Sequence, residues 1–163
     1  MILLRRITLL AALFAAPVAG LAYDLYTTPF HGALLKAPIG SIQKVGTLTP
    51  PDFEAVCILH PYQDRLNISG DLAARVNAHL AKVEYYSDEG HFTFVFVRKR
   101  GIEIERIKRS QNLDFFGNRK LPAAISDAVP HSFSEEDCVR GLSAAIIKTR
   151  FDDRIYFLFG QAP

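Results

Sequence analysis

The sequence predicts a small single α+β domain. Its mostly antiparallel sheet carries one main helix packed on one face, and a signal peptide or N-terminal membrane anchor precedes it. Three features lead there. His91 to Arg109, HFTFVFVRKRGIEIERIKR, reads as two strands joined by a tight turn. Gly70 to Tyr86 carries apolar residues at helical spacing. The chain opens on a basic pair followed by an apolar run, the order of an export signal. The length of 163 residues suits one domain, and with 49% hydrophobic against 22% charged residues disorder is not expected.

At the N-terminus, Arg5 and Arg6 precede an apolar run from Ile7 to Tyr23, with small residues around Ala19 and Ala22 as cleavage positions. A retained anchor is the competing reading, although the run is short for a bilayer span of about 20 residues and Pro17 interrupts it. Either way residues 1–22 direct the rest of the chain out of the cytosol. The expected location is the periplasm or cell envelope, with attachment to the inner membrane if the segment is retained. Without Arg5 and Arg6, basic and acidic residues are equal in number, since the whole chain has 19 Lys plus Arg and 17 Asp plus Glu. Nucleic acid is therefore not an expected partner.

Residues 23–51 read as a connector, because Pro29, Pro38, Pro50 and Pro51 alternate with Gly32, Gly40 and Gly46. The domain proper is expected over 52–163. Phe53 to Leu59 is its first strand, closed by His60-Pro61. Ser69 is placed to cap the helix, whose face carries Leu72, Val76, Leu80 and Val83. In the hairpin, Phe92, Phe94 and Phe96 recur with period two. A three-residue loop ending at Gly101 sets Arg98 opposite Ile102. That register puts the phenylalanines with Ile102 and Ile104 on a core side covered by the helix, and Glu103 and Glu105 with Val95 and Val97 on a mixed side. Ser110 to Lys120 reads as a polar loop, Leu121 to Val129 as a short helix, and Ser134 to Asp137 as a capped helical start carrying Cys138. Ala144 to Thr149 and Arg154 to Phe159 form a closing hairpin.

Cys57 and Cys138 make an even pair, which in an oxidising compartment is expected to be a disulfide. No metal or cofactor is expected. Cys57 and His60 have C-x-x-H spacing, but residues three apart on a strand point to opposite faces. Ser41-Ile-Gln-Lys44 matches S-x-x-K without its partner motifs, and no G-x-S-x-G occurs. The carboxylate groups Asp88-Glu89, Glu135-Glu136-Asp137 and Asp152-Asp153 fall where turns and helix starts favour acids for structural reasons. Asn67-Ile-Ser69 fits the glycosylation sequon, with Ser69 already placed as a cap.

What remains is a charge pattern. Arg98, Lys99, Arg100, Arg106, Lys108, Arg109, Arg119 and Lys120 face only Glu103, Glu105 and Asp114 within the same stretch. The functional expectation is an exported, non-enzymatic interaction protein of the cell envelope. Its contact residues are Arg98, Lys99, Arg100, Lys108 and Arg109, and its partner is an acidic protein or an anionic membrane surface. The bland reading is a solvated turn and an edge strand guarded against aggregation by Lys and Arg. The rival function is a small envelope hydrolase using carboxylates or His60 without a recognisable motif.

Overall fold

A computed structural model describes residues 28–116 and 121–163. The expected leader at 1–22 lies outside the described residues. Strands dominate, and they form two sheets that pack face to face. The first helix, α1 (Pro29–Lys36), is followed by β1 (Ile42–Lys44), the short α2 (Val45–Leu48) and β2 (Phe53–Leu59). Then come α3 (Asp71–Lys82) and the hairpin β3 (His91–Arg98) and β4 (Gly101–Lys108). Short elements follow: β5 (Asp114–Phe115), α4 (Ala123–Ser126), β6 (Ser134–Glu135) and β7 (Cys138–Arg140). A 3-10 turn at Gly141–Ser143 leads into the closing hairpin, β8 (Ala144–Phe151) and β9 (Arg154–Gln161). One sheet has the order β4-β3-β2-β7. The other runs β1-β8-β9-β5, with β6 sharing the β9 edge. Among the described strands, pairings are antiparallel except β5 with β9.

The hairpin register differs from expectation. Arg98 pairs with Gly101, so the turn is only Lys99-Arg100. Gly101 belongs to the strand at φ +149, a conformation that glycine adopts without a side-chain clash. Ile102 and Ile104 therefore join Val97 and Val95, while Glu103 and Glu105 sit opposite Phe96 and Phe94. The mixed face expected for β3 is also corrected, since Phe92 to Val97 are buried on both sides. An unbroken apolar run with both parities filled is what a strand covered on two faces requires.

The phenylalanine side is covered by the second sheet and α1, not by the main helix. Phe92 and Phe157 lie 4.9 Å apart between ring centroids, and Phe94 and Phe157 5.7 Å. Phe30 of α1 meets Phe94 and Phe96 edge-on at 4.9 and 5.1 Å. Such pairs add roughly 0.5–1.5 kcal/mol each beyond the area they bury. The helix α3 covers the other side, where Ala73, Val76 and Leu80 pack on Ala55, Cys57, Leu59, Val95 and Val97. A third cluster backs the second sheet, with Ile125, Phe133 and Ala162 on Ala145, Ile147 and Leu158.

Three further expectations change. Helix α3 starts after Gly70, with no side-chain cap, so Ser69 does not cap it. It ends at Lys82, where Glu84 turns left-handed at φ +52 and the Tyr85 N–H returns to the Leu80 carbonyl at 2.9 Å. The stretch from Ser134 forms strands instead of a helical turn, because its backbone completes the edges of β9 and β2. The described part of the expected connector, 28–51, is built into the core through Phe30, Leu34 and Val45. Helix α1 is held at both ends. The Thr28 hydroxyl donates to the buried Glu105 carboxylate at its start, and Lys148 Nζ donates to the Leu34 and Leu35 carbonyls at its end, at 3.1 and 2.9 Å. A basic side chain at the C-terminus complements the helix dipole.

Candidate functional site

Strand pairing fixes where the five basic candidates go. Arg98, Lys99 and Arg100 lie at the turn, while Lys108 pairs with His91 at the other end of the hairpin. The two groups therefore do not converge. Arg98 is taken up internally. Its guanidinium reaches Asp52, donates through Nε to Glu103 at 2.7 Å, and stands 5.1 Å over the Phe96 ring. Arg109 is likewise structural. It donates to the buried Asp114 carboxylate through Nε at 2.6 Å and Nη2 at 3.3 Å, and to the Glu89 carbonyl at 2.9 Å. Arg154 grips the same carboxylate at 2.7 Å, so these side chains lock β5 onto the sheet. Asp114 in turn pushes the Arg109 guanidinium above its usual range. Lys99, Arg100 and Lys108 are exposed.

The turn borders a cleft of about 490 Å³. Helix α3 supplies Arg75 and His79, one turn apart on the same face, and the hairpin supplies Arg98, Lys99 and Arg100. Glu54 of β2 is the carboxylate of the lining, paired with Arg75 at 3.0 Å. Both partners are about half exposed, 50% and 45% by side chain, so the pair holds with ~0–1 kcal/mol and opens readily. The cleft exists because α3 packs on the valine face of the hairpin, which brings its outer flank beside the turn. Arg75 and His79 are thus cleft-lining residues that local charge counting misses. The signal for them was the outward face of the helix, one step around from Leu72, Val76 and Leu80.

Cys57 and Cys138 form the expected disulfide, so neither sulfur is a free thiol. They are directly opposed in β2 and β7, and the Ile58 N–H donates to the Asp137 carbonyl at 2.8 Å beside them. That bond places the cysteines at a non-hydrogen-bonded position, where facing side chains are closest. The disulfide marks an oxidising, exported location. Among the described residues, no helix is long and apolar enough to cross a membrane.

The same pairing brings His60 to Asp137, 77 residues apart in sequence, with Nε2 donating to Oδ1 at 2.9 Å. The His60 ring stands edge-on to Phe115 at 4.8 Å and lines a separate concavity of about 350 Å³ with Tyr62, Gln63 and Asp64. This is an oriented imidazole, as a general base requires. Among the described residues, its hydrogen-bonding partner is the Asp137 carboxylate and not a hydroxyl or thiol that it could activate. Also among the described residues, no three or more His, Cys, Asp or Glu side chains gather as metal ligands. The paired carboxylates serve separate places, and Glu136 lines a concavity of about 390 Å³ with Asp71 and Arg140. Asp88 binds His91 at 2.8 Å and Arg106, which hold its carboxyl below the usual range, the His91 hydrogen bond acting most strongly. Asp152 forms the β8–β9 turn at φ +51. Comparison with protein-family models, with curated proteins and with solved structures gives no match.

Proposed function

We propose that this is an exported, non-enzymatic interaction protein of the cell envelope. Its docking site is the cleft between α3 and the β3–β4 turn, and its partner is an acidic protein or an anionic membrane surface. The observation that supports this most is the meeting of Arg75 and His79 with Lys99 and Arg100 around one concavity, from parts of the chain that are distant in sequence. Lys99 and Arg100 are exposed and stand clear of the ion pairs that hold Arg98. An anion therefore meets groups already presented to solvent. Lys108 and Arg109, at the far end of the hairpin, are outside this surface. Within a chain whose exported part is formally neutral, a local positive cleft steers anionic partners and weakens with salt.

The test is sedimentation of the protein with phosphatidylglycerol vesicles and capture on immobilised polyglutamate, each at low and high salt. Binding to at least one support that falls with salt, and falls in Lys99→Ser/Arg100→Ser, is the expected result. Salt-independent adsorption, or full retention by the double variant, would count against the cleft. A second reading, hydrolysis by His60 oriented through Asp137, is favoured by their 2.9 Å hydrogen bond. It requires a substrate that brings its own nucleophile or a bound water into the His60 concavity.

A further inference from the structure

The cleft has the size of a ligand pocket, about 490 Å³ against a usual range of roughly 300–1,000 Å³. The concavity is open to solvent, so a compact anion can reach the basic side chains that line it. Its lining sets Arg75, Arg98, Lys99 and Arg100 against Glu54 alone, with His79 alongside. Beside it, the exposed Asp52 and Glu103 carboxylates pair with Arg98 and hold it at the turn. The side chains able to move onto a ligand are the Arg75 and Arg100 guanidiniums, the Lys99 ammonium and the His79 ring. A guanidinium binds two oxygens of one anion side by side, and an ammonium adds a point charge. A carboxylate has two oxygens and one charge, too few to engage two forks and an ammonium together. A terminal phosphate offers three strong acceptor oxygens and nearly two charges. Gly101 and the half-buried Ile102 add an apolar wall beside these donors.

We infer that the cleft binds the terminal phosphate of a phosphomonoester or diphosphate, with Arg75 and Arg100 as paired forks and Lys99 as the point charge. This rests on the anion-docking role proposed for the same cleft and narrows its ligand. Arg75 leaves Glu54 to reach the phosphate, a change that the exposed, weakly held pair permits. No bond is made or broken in the ligand.

Calorimetric titration with pyrophosphate, and with succinate at matched ionic strength, tests it. Pyrophosphate is expected to bind at least tenfold more tightly than succinate. Arg75→Ser and Lys99→Ser/Arg100→Ser should each lose tenfold or more, with unchanged unfolding midpoints, and Lys108→Ser should lose nothing. Vesicles of phosphatidylcholine with and without phosphatidate then separate the sources. Phosphatidate-dependent binding assigns a lipid headgroup, and pyrophosphate binding without it assigns a soluble ligand. If succinate or polyglutamate binds as well as pyrophosphate, or polyglutamate binds and pyrophosphate does not, the phosphate assignment is wrong and the anion-docking role survives. If none of these anions binds, both are wrong.

Discussion

Gly160 has no room for a side chain. A Cβ there would stand 1.9 Å from the Ser134 carbonyl oxygen and 2.8 Å from the Glu135 Cα, where β6 crosses the edge of β9. Gly160→Ala must push β6 off that edge, and it should lower stability by about 1–3 kcal/mol in urea unfolding. Glu105 is a residue of the opposite kind, a carboxylate buried beside Phe94 by the hairpin register. Burial raises its pKa, with the Thr28 hydroxyl and the His31 N–H only partly opposing. The native state therefore holds this proton more firmly than the unfolded chain does. Its contribution to stability is full below the unfolded carboxylate pKa and is lost as pH rises through the raised folded value. Glu105→Gln keeps an acceptor for Thr28 and should flatten that part of the stability–pH curve. An unchanged curve would show that another group sets it. Neither residue's role was legible in the sequence. Gly160 matters through β6, which its own residues do not announce, and the burial of Glu105 follows from a turn one residue shorter than the pattern suggested.

At the scale of elements, local patterns told the truth where they were strong. Phe53 to Leu59 forms a strand as read, and the closing hairpin forms with Asp152-Asp153 as its turn. Helix α3 forms within its expected span. The failures are short elements that fold only because something else covers them. Helices α1 and α2 are too short to persist alone, and the aromatic layer and Lys148 hold α1. Strands β6 and β7 borrow their pairing from β9 and β2. The hairpin turn itself divides into two roles. Arg98→Ala removes two ion pairs and the contact over Phe96, and should cost about 1–3 kcal/mol. Lys99→Ser/Arg100→Ser touches no such contact and should stay within about 0.5 kcal/mol in the same assay. Equal losses from the two would mean that Lys99 and Arg100 are structural too.

The whole molecule is layered: α3, the first sheet, the phenylalanine layer with α1, the second sheet, and the segment carrying Ile125 and Phe133. The disulfide spans 81 residues of that arrangement and ties the three-residue edge strand β7 to β2. In the chain-entropy model a loop of that length adds up to about 4.5 kcal/mol, with 2–4 more usual. Unfolding with and without dithiothreitol should differ by that usual amount, and no difference would mean that the reduced chain holds β7 equally well. The cleft belongs to this scale. Lys99 and Arg100 were legible as a basic turn, and Cys57 with Cys138 as a bridge. Arg75 and His79 became cleft-lining residues only once the fold set α3 on the valine face of the hairpin. His60 met Asp137 only through the opposed cysteines.

The proposed docking of anions between α3 and the β3–β4 turn has a residue-level signature. Amide chemical-shift mapping of the nitrogen-15-labelled protein during titration with pyrophosphate and with polyglutamate tests it most directly. Saturating shifts centred on Arg75, His79, Lys99, Arg100 and Ile102 are expected with at least one of the two. Shifts centred instead on His60 to Asn67, or no shifts with either anion, would contradict it.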